Sequence, residues 1–110
     1  MPEKDFVKSF YELKTDLLKS YFNLSQNSYG GPSPIAKMIE SLGIDSSETS
    51  TLYKILDGAL TDALYTILLG LDGEASIGEN DQQVYKLFDG EGNELTDSGE
   101  ITGYAWEYFQ

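Results

Sequence analysis

The chain has no cysteine, no histidine and no arginine among its 110 residues. Without cysteine there are no disulfides or thiolate metal sites, and without histidine the usual general base near neutral pH is missing. Arginine is the favoured bidentate clamp for phosphate and carboxylate groups. Their absence excludes Ser-His-Asp and Cys-His catalysis, His-ligated zinc and arginine-clamped anion sites within this chain. Carboxylate or lysine chemistry stays open, but we expect no enzyme activity, no cofactor and no metal.

Long apolar runs are also missing. No stretch approaches the length of about 18 apolar residues that a membrane-spanning helix requires. The first residues, Met1 to Asp5, lack a basic region followed by an apolar run, so we predict no signal peptide. Hydrophobic residues make up 40% of the chain and aromatic residues 13%, which is enough for a core. We therefore predict one cytoplasmic domain that spans residues 1–110.

Positive charge is scarce, and it is unevenly placed. The net charge is −12; residues 1–55 hold six lysines against seven acids, whereas residues 56–110 hold only Lys86 against twelve acids. Such a field repels nucleic-acid phosphates and anionic membranes, and it attracts basic proteins. The alternative is that the acidic surface serves solubility alone.

The first two-thirds of the sequence has helical periodicity. Apolar residues at steps of three and four predict an amphipathic helix over residues 5–24, with Asp5 as its cap. A short helix is expected from Pro34, with Gly43 as its stop. A third, long and central helix is expected over residues 52–71, with N-caps offered by Ser46, Ser47 and Thr49, a stop at Asp72-Gly73, and a break at Gly58 left open.

The pattern of the last third of the sequence predicts β-structure. Residues 82–88 predict a strand, residues 89–93 a turn, and residues 101–109 an aromatic second strand, with residues 75–77 as a third, edge strand. The predicted fold class is therefore α+β. It has three to four helices within residues 5–72 and a β-rich segment, residues 74–110, that forms an antiparallel hairpin or small sheet on the long helix.

Oxygen-bearing side chains follow the spacing of a calcium-binding EF-hand loop in this last third: Asp89, Glu91, Asn93, Asp97 and Glu100. The match ends there, because Glu94 occupies the place of the glycine that the loop requires and the flanks predict strands where the motif needs helices. We interpret the segment as a solvated hairpin turn and leave weak calcium binding open.

Aromatic residues alternate along the expected last strand. Alternation places Tyr104, Trp106 and Tyr108 with Thr102 on one face, and the other face holds Ile101, Gly103, Ala105, Glu107 and Phe109. The tyrosine-tryptophan row is either a contribution to the core or an exposed set of interface anchors. The sequence does not decide which face is buried.

Charge and aromatics together favour a non-enzymatic module that binds a basic partner. In size and charge, though in no motif, it is comparable to small acidic bacterial immunity proteins and to anti-repressors that mimic nucleic-acid charge. The alternative is a structural or assembly protein that forms a homo-oligomer or complex subunit, and a small carboxylate-based enzyme comes third. Candidate partner-binding residues are Asp81, Asp89, Glu91, Glu94, Asp97, Glu100, Tyr104, Trp106 and Tyr108.

Overall fold

A computed structural model describes residues 2–22, 33–78, 84–96 and 98–110. Within these ranges the chain forms four helices: α1 (Pro2–Phe22), α2 (Pro34–Ser41), α3 (Ser46–Leu71) and α4 (Glu100–Phe109). The same ranges contain no β-strand, only one isolated antiparallel bridge between Phe88 and Glu94. The prediction of an α+β fold with a C-terminal sheet is therefore wrong, and the described part of the chain is all-α.

The boundaries of α2 follow from local side-chain chemistry. The Oγ of Ser33 accepts a hydrogen bond from the backbone N–H of Ala36 at 3.0 Å, and Pro34 occupies the first helical position. Gly43, with a φ of 63°, follows the last turn in the left-handed conformation that glycine adopts without steric cost. The predicted start at Pro34 and stop at Gly43 are confirmed.

The first helix begins earlier than predicted. It starts at Pro2, so Asp5 lies inside its first turn and does not cap it. Acidic residues in a first turn are favourable because they face the positive end of the helix dipole. The helix ends at Phe22, and Leu24, which we predicted to be helical, lies outside the described residues.

The long helix α3 has a capping box at its start. The Asp45 carboxylate accepts from the Glu48 N–H at 2.8 Å, and the Glu48 carboxylate accepts from the Asp45 N–H at 3.2 Å. Asp45 therefore caps this helix, whereas the sequence had suggested Ser46, Ser47 or Thr49. At the other end the Glu74 N–H bonds to the Leu69 carbonyl and the Gly73 N–H to the Gly70 carbonyl. This pair of bonds is a Schellman motif, and the predicted stop at Asp72-Gly73 is confirmed.

Two glycines inside α3 have opposite surroundings, although the helix runs unbroken through both. A Cβ at Gly58 would meet nothing within 4 Å, whereas a Cβ at Gly70 would overlap the side chain of Ile77.

We predict that Gly58→Ala raises the free energy of unfolding by about 0.5–1 kcal/mol, the usual helix gain of alanine. Gly70→Ala should lower it by about 1–3 kcal/mol, because Ile77 must move. Urea denaturation checks both; equal effects at the two sites would contradict the packing at Ile77.

The described residues fall into two compact units. One comprises Met1–Tyr11 and Thr61–Gln110 and the other Glu12–Leu60. In the first unit, the start of α1, the end of α3 and α4 contribute a common core, which also receives Leu95 from the segment before α4. Its buried members are Val7, Leu68, Leu95, Ile101, Ala105 and Phe109. The single-domain assignment stays a prediction.

The second unit has a smaller interior. Leu18 and Ala36 are buried in it. The ammonium group of Lys14 lies 2.9 Å from the Asp57 carboxylate, and the Lys14 side chain is only 11% exposed. The rings of Phe22 and Tyr53 pack against each other in a tilted arrangement, with their centroids 5.3 Å apart.

Among the described residues, no helix combines the length and apolar character needed to cross a bilayer. Although α3 has 26 residues, threonine, aspartate and glycine residues are interspersed among its apolar ones.

Candidate partner-binding face on helix α4

The last helix is capped by a residue that lies far away in the sequence. Gly99 holds the N-cap position with a φ of 77° and has no side chain that could cap. The Asp72 carboxylate takes this role: its Oδ2 accepts from the Thr102 backbone N–H at 3.1 Å and from the Thr102 hydroxyl at 2.8 Å. A carboxylate there satisfies a free N–H of the first turn and faces the positive end of the helix dipole. Asp72 thereby joins the end of α3 to the start of α4.

The other Asp72 oxygen, Oδ1, is buried and has no hydrogen-bond partner among the described residues. Leaving a buried acceptor unpaired costs free energy. The two bonds that Oδ2 accepts from Thr102 must therefore offset this cost as well as fix the start of the helix.

One side of α4 belongs to the core. Ile101, Ala105 and Phe109 follow one another at steps of four and are all buried. The rings of Tyr108 and Phe109 also lie near Tyr11 of α1, with centroid separations of 5.6 Å and 5.7 Å. The predicted strand alternation also grouped the three buried residues, but it placed Gly103 and Glu107 with them, and both are exposed because helical spacing turns them to another side.

The opposite side of α4 is exposed and carries a groove of about 390 Å³. Glu100 and Glu107 stand two helical turns apart, roughly 10 Å along the axis. Gly103 lies between them, and a Cβ there would meet nothing within 4 Å, so the groove is open above it. The described residues that line it are Ser98, Gly99, Glu100, Gly103, Tyr104 and Glu107; these residues are called the α4 face below.

The predicted aromatic row is divided by the helix. Trp106 is 63% exposed and lies outside the groove lining, about 200° around the helix from Tyr104. Tyr104 lines the groove and also packs on the core, and Tyr108 packs on the core. The prediction that these three residues share one face is wrong, because a helix turns about 100° per residue where a strand alternates by half-turns.

The turn that begins at Asp89 is held by its own hydrogen bonds. The Asp89 carboxylate accepts from the Asn93 side-chain amide and from the backbone N–H groups of Asn93 and Glu91, each at 2.9 Å. These bonds, that of the Asn93 side chain above all, hold the pKa of the Asp89 carboxyl below its ordinary value. The predicted turn over residues 89–93 is confirmed, while its flanks form only the single bridge named above.

This turn is not arranged as a cation site. The Asp89 oxygens are directed to its own N–H groups, and Glu100 belongs to the first turn of α4. Within the described residues, no group of three or more acidic side chains could hold a metal ion.

The remaining candidate residues are not gathered at the α4 face by any contact of the described residues. Glu91 and Glu94 are exposed on the hairpin-like turn, where Glu94 forms the bridge to Phe88. Leu95, which follows the turn, is part of the buried core. Its backbone N–H donates to the Leu87 carbonyl at 2.7 Å, and this bond joins the two flanks of the turn. Asp81 and Asp97 lie outside the described residues.

Four residues of the α4 face, Ser98, Gly99, Gly103 and Glu107, are not among the candidates predicted from the sequence. Glu107 and Gly103 were placed on the strand face opposite Tyr104. The signal that could have identified them is the three- and four-residue spacing of Glu100, Gly103, Tyr104 and Glu107, which brings them to one side of a helix.

Other depressions are less suited to a charged partner. One of about 200 Å³ lies beside Asp72 and Tyr85, and one of about 440 Å³ lies beside Phe22 and Tyr53. Among the described residues, each has a single charged lining residue, Asp72 in the first and Lys54 in the second. The α4 groove, by contrast, is lined by two carboxylates, Glu100 and Glu107.

Comparison of the chain with protein-family models, with curated proteins and with solved structures found no match in any of the three.

Proposed function

We propose that this chain is a non-enzymatic protein-binding module whose α4 face engages a basic surface of a partner protein. The observation that carries the proposal is the groove above Gly103, with Glu100 and Glu107 along it and Tyr104 in its wall. Trp106, three residues after Gly103, is exposed on the adjacent side of the helix. Exposed tryptophan next to charged residues is typical of interface anchors.

The chemistry of the groove suits a lysine or arginine side chain. A cationic group above Gly103 can approach the carboxylates of Glu100 and Glu107, and the ring of Tyr104 offers a face for a cation–π contact. The absence of a side chain at Gly103 leaves space for the aliphatic stem. Trp106 then adds apolar contact at the edge.

The field of the surrounding unit favours the same partner. The unit that contains α4 has three lysines against thirteen acids, a balance of −10, whereas residues 12–60 have four lysines against six acids, a balance of −2. Negative potential of this size speeds the encounter with a positively charged protein and opposes nucleic acid and anionic membranes. The proposal includes an inhibitor-like or charge-mimic role for the module and a cytoplasmic location.

The test is the binding of an arginine-rich peptide to paired charge variants. We predict that Glu100→Gln combined with Glu107→Gln weakens binding about tenfold or more, because two charge-assisted contacts are lost. Glu91→Gln combined with Glu94→Gln removes the same charge from the turn and should change the affinity less than about threefold. Calorimetric titration at low salt measures both affinities.

A second variant separates the groove from the general field. Gly103→Ala leaves the charge unchanged and should stabilise α4 by about 0.5–1 kcal/mol, but it places a methyl group in the groove. The peptide should therefore bind this more stable protein less tightly. Equal losses in the two charge pairs, together with unchanged binding by Gly103→Ala, would contradict a site on α4 and leave only diffuse attraction.

A further inference from the structure

The short helix α2 exposes most of its apolar side. The sequence gives this helix an apolar side of Ile35, Met38, Ile39 and Leu42. The residue that it buries is Ala36, while Ile35, Met38 and Leu42 are 39%, 63% and 61% exposed. A stripe of large aliphatic side chains at three- and four-residue spacing is normally buried against another element. In the described residues no element covers it.

An apolar groove adjoins this stripe. It has a volume of about 350 Å³ and is lined by the end of α2 and the start of α3: Leu42, Ile44, Ser47, Glu48, Thr51, Leu52 and Ile55. Ile55 is itself 59% exposed. Leu42 belongs both to the stripe and to the groove, so the two are continuous and together are called the α2 patch.

We infer that the α2 patch is the contact surface for a second copy of this chain. An interface with two-fold symmetry requires one patch that carries both a projecting part and a receiving part. The α2 patch has both: Met38 is a flexible, polarizable side chain that projects, and the groove beside Leu42 is open to receive it.

Charge decides between a second copy and a basic partner. The unit that carries the patch has a balance of only −2, and Glu48 is the one charged residue among the described residues that line the groove. The strongly acidic unit attracts basic proteins, whereas the patch lies in a nearly neutral unit and exerts little electrostatic attraction on them. Two copies that meet here bring together the parts of the chain that repel one another least.

The size of the patch is consistent with a dimer of moderate affinity. Four large aliphatic side chains exposed to this extent present a few hundred Å² of apolar surface, the scale that marks interaction sites on monomers. A standard interface takes about 800 Å² from each partner, so we expect the polar residues around the patch to contribute the rest of the contact.

The test is the oligomeric state of the full chain by sedimentation equilibrium between about 1 µM and 1 mM, a range that covers dimers of this affinity. The wild-type chain should show a monomer–dimer equilibrium in this range.

Met38→Glu and Leu42→Glu should each raise the dissociation constant at least about tenfold, since a charge then enters an apolar contact. Val84→Glu is the matched control: this residue is 82% exposed and lies in the other unit, so the same added charge should leave dimerisation within about twofold. All three sites are exposed, so the variants should stay folded, and circular dichroism checks this.

The absence of cysteine allows a direct check of the contact itself. Met38→Cys creates a single thiol, which a short bis-maleimide should cross-link to its symmetry mate in the dimer, while Val84→Cys should stay uncross-linked. A wild-type chain that stays monomeric at 1 mM, equal weakening by Met38→Glu and Val84→Glu, or a dimer in which Met38→Cys does not cross-link would each overturn the inference.

Discussion

Replacing Leu68 with alanine is expected to lower the free energy of unfolding by about 3–5 kcal/mol. Leu68 is fully buried near the end of α3, in the core that also contains Val7, Ile101 and Phe109. Without its side chain, the folded state loses the free energy gained by burying those atoms away from water. The neighbours fill the remaining cavity only in part. Chemical denaturation followed by circular dichroism measures the loss.

Leu13→Ala is the matched control, because the same atoms are removed from a residue that is 41% exposed. Its cost should be about 1 kcal/mol, since much of its surface already contacts water. Similar losses for the two variants would show that Leu68 is not at the centre of the core described above.

The second large effect concerns the remote cap of α4. Asp72→Ala should lower the free energy of unfolding by about 2 kcal/mol, because both bonds from Thr102 to the carboxylate are lost and the first turn of the helix loses its cap. Asp62→Ala is the control: Asp62 is an exposed residue on the same helix, so its removal should change stability by less than about 0.5 kcal/mol.

Hydrogen exchange should locate the damage. The amides of α4 should exchange much faster in Asp72→Ala, while those in the middle of α3 change less. Uniform acceleration throughout the chain, or a stability equal to that of the control, would mean that Asp72 does not hold the start of α4.

The sequence predicted those helix ends whose caps lie beside them. Ser33, Pro34 and Gly43 act within a few residues of α2, and the glycine at position 73 ends α3 by bonds to its own last turn. Such signals are local, so a single sequence displays them. The capping box of α3 was local as well, but the serines next to Asp45 offered competing caps.

The helix α4 could not be predicted in this way. Its tyrosines, its tryptophan and Thr102 have strand propensity, and Gly103 weakens a helix. What stabilises the helical form is tertiary: the cap comes from Asp72, and Ile101, Ala105 and Phe109 bury one side together. Tertiary packing therefore overrode local propensity in this segment. The other two predicted strands contributed to the error in fold class as well, because residues 75–77 and 84–88 form no strand beyond the bridge at Phe88.

The candidate site was predicted in part for the same reason. Glu100, Tyr104 and Trp106 were selected for their charge and aromatic character, and these properties do not depend on secondary structure. Which residues share their side does depend on it, so Glu107 and Gly103 were not selected, whereas Tyr108 was selected and packs on the core.

The central claim is that attraction to basic partners is focused on the α4 face. Amide chemical shifts of the labelled chain, followed while an arginine-rich peptide is added, test this claim most directly. The account predicts that the largest changes occur at Glu100, Gly103, Tyr104 and Glu107 and at the indole N–H of Trp106. Changes spread evenly over all acidic residues, with none concentrated on α4, would contradict it.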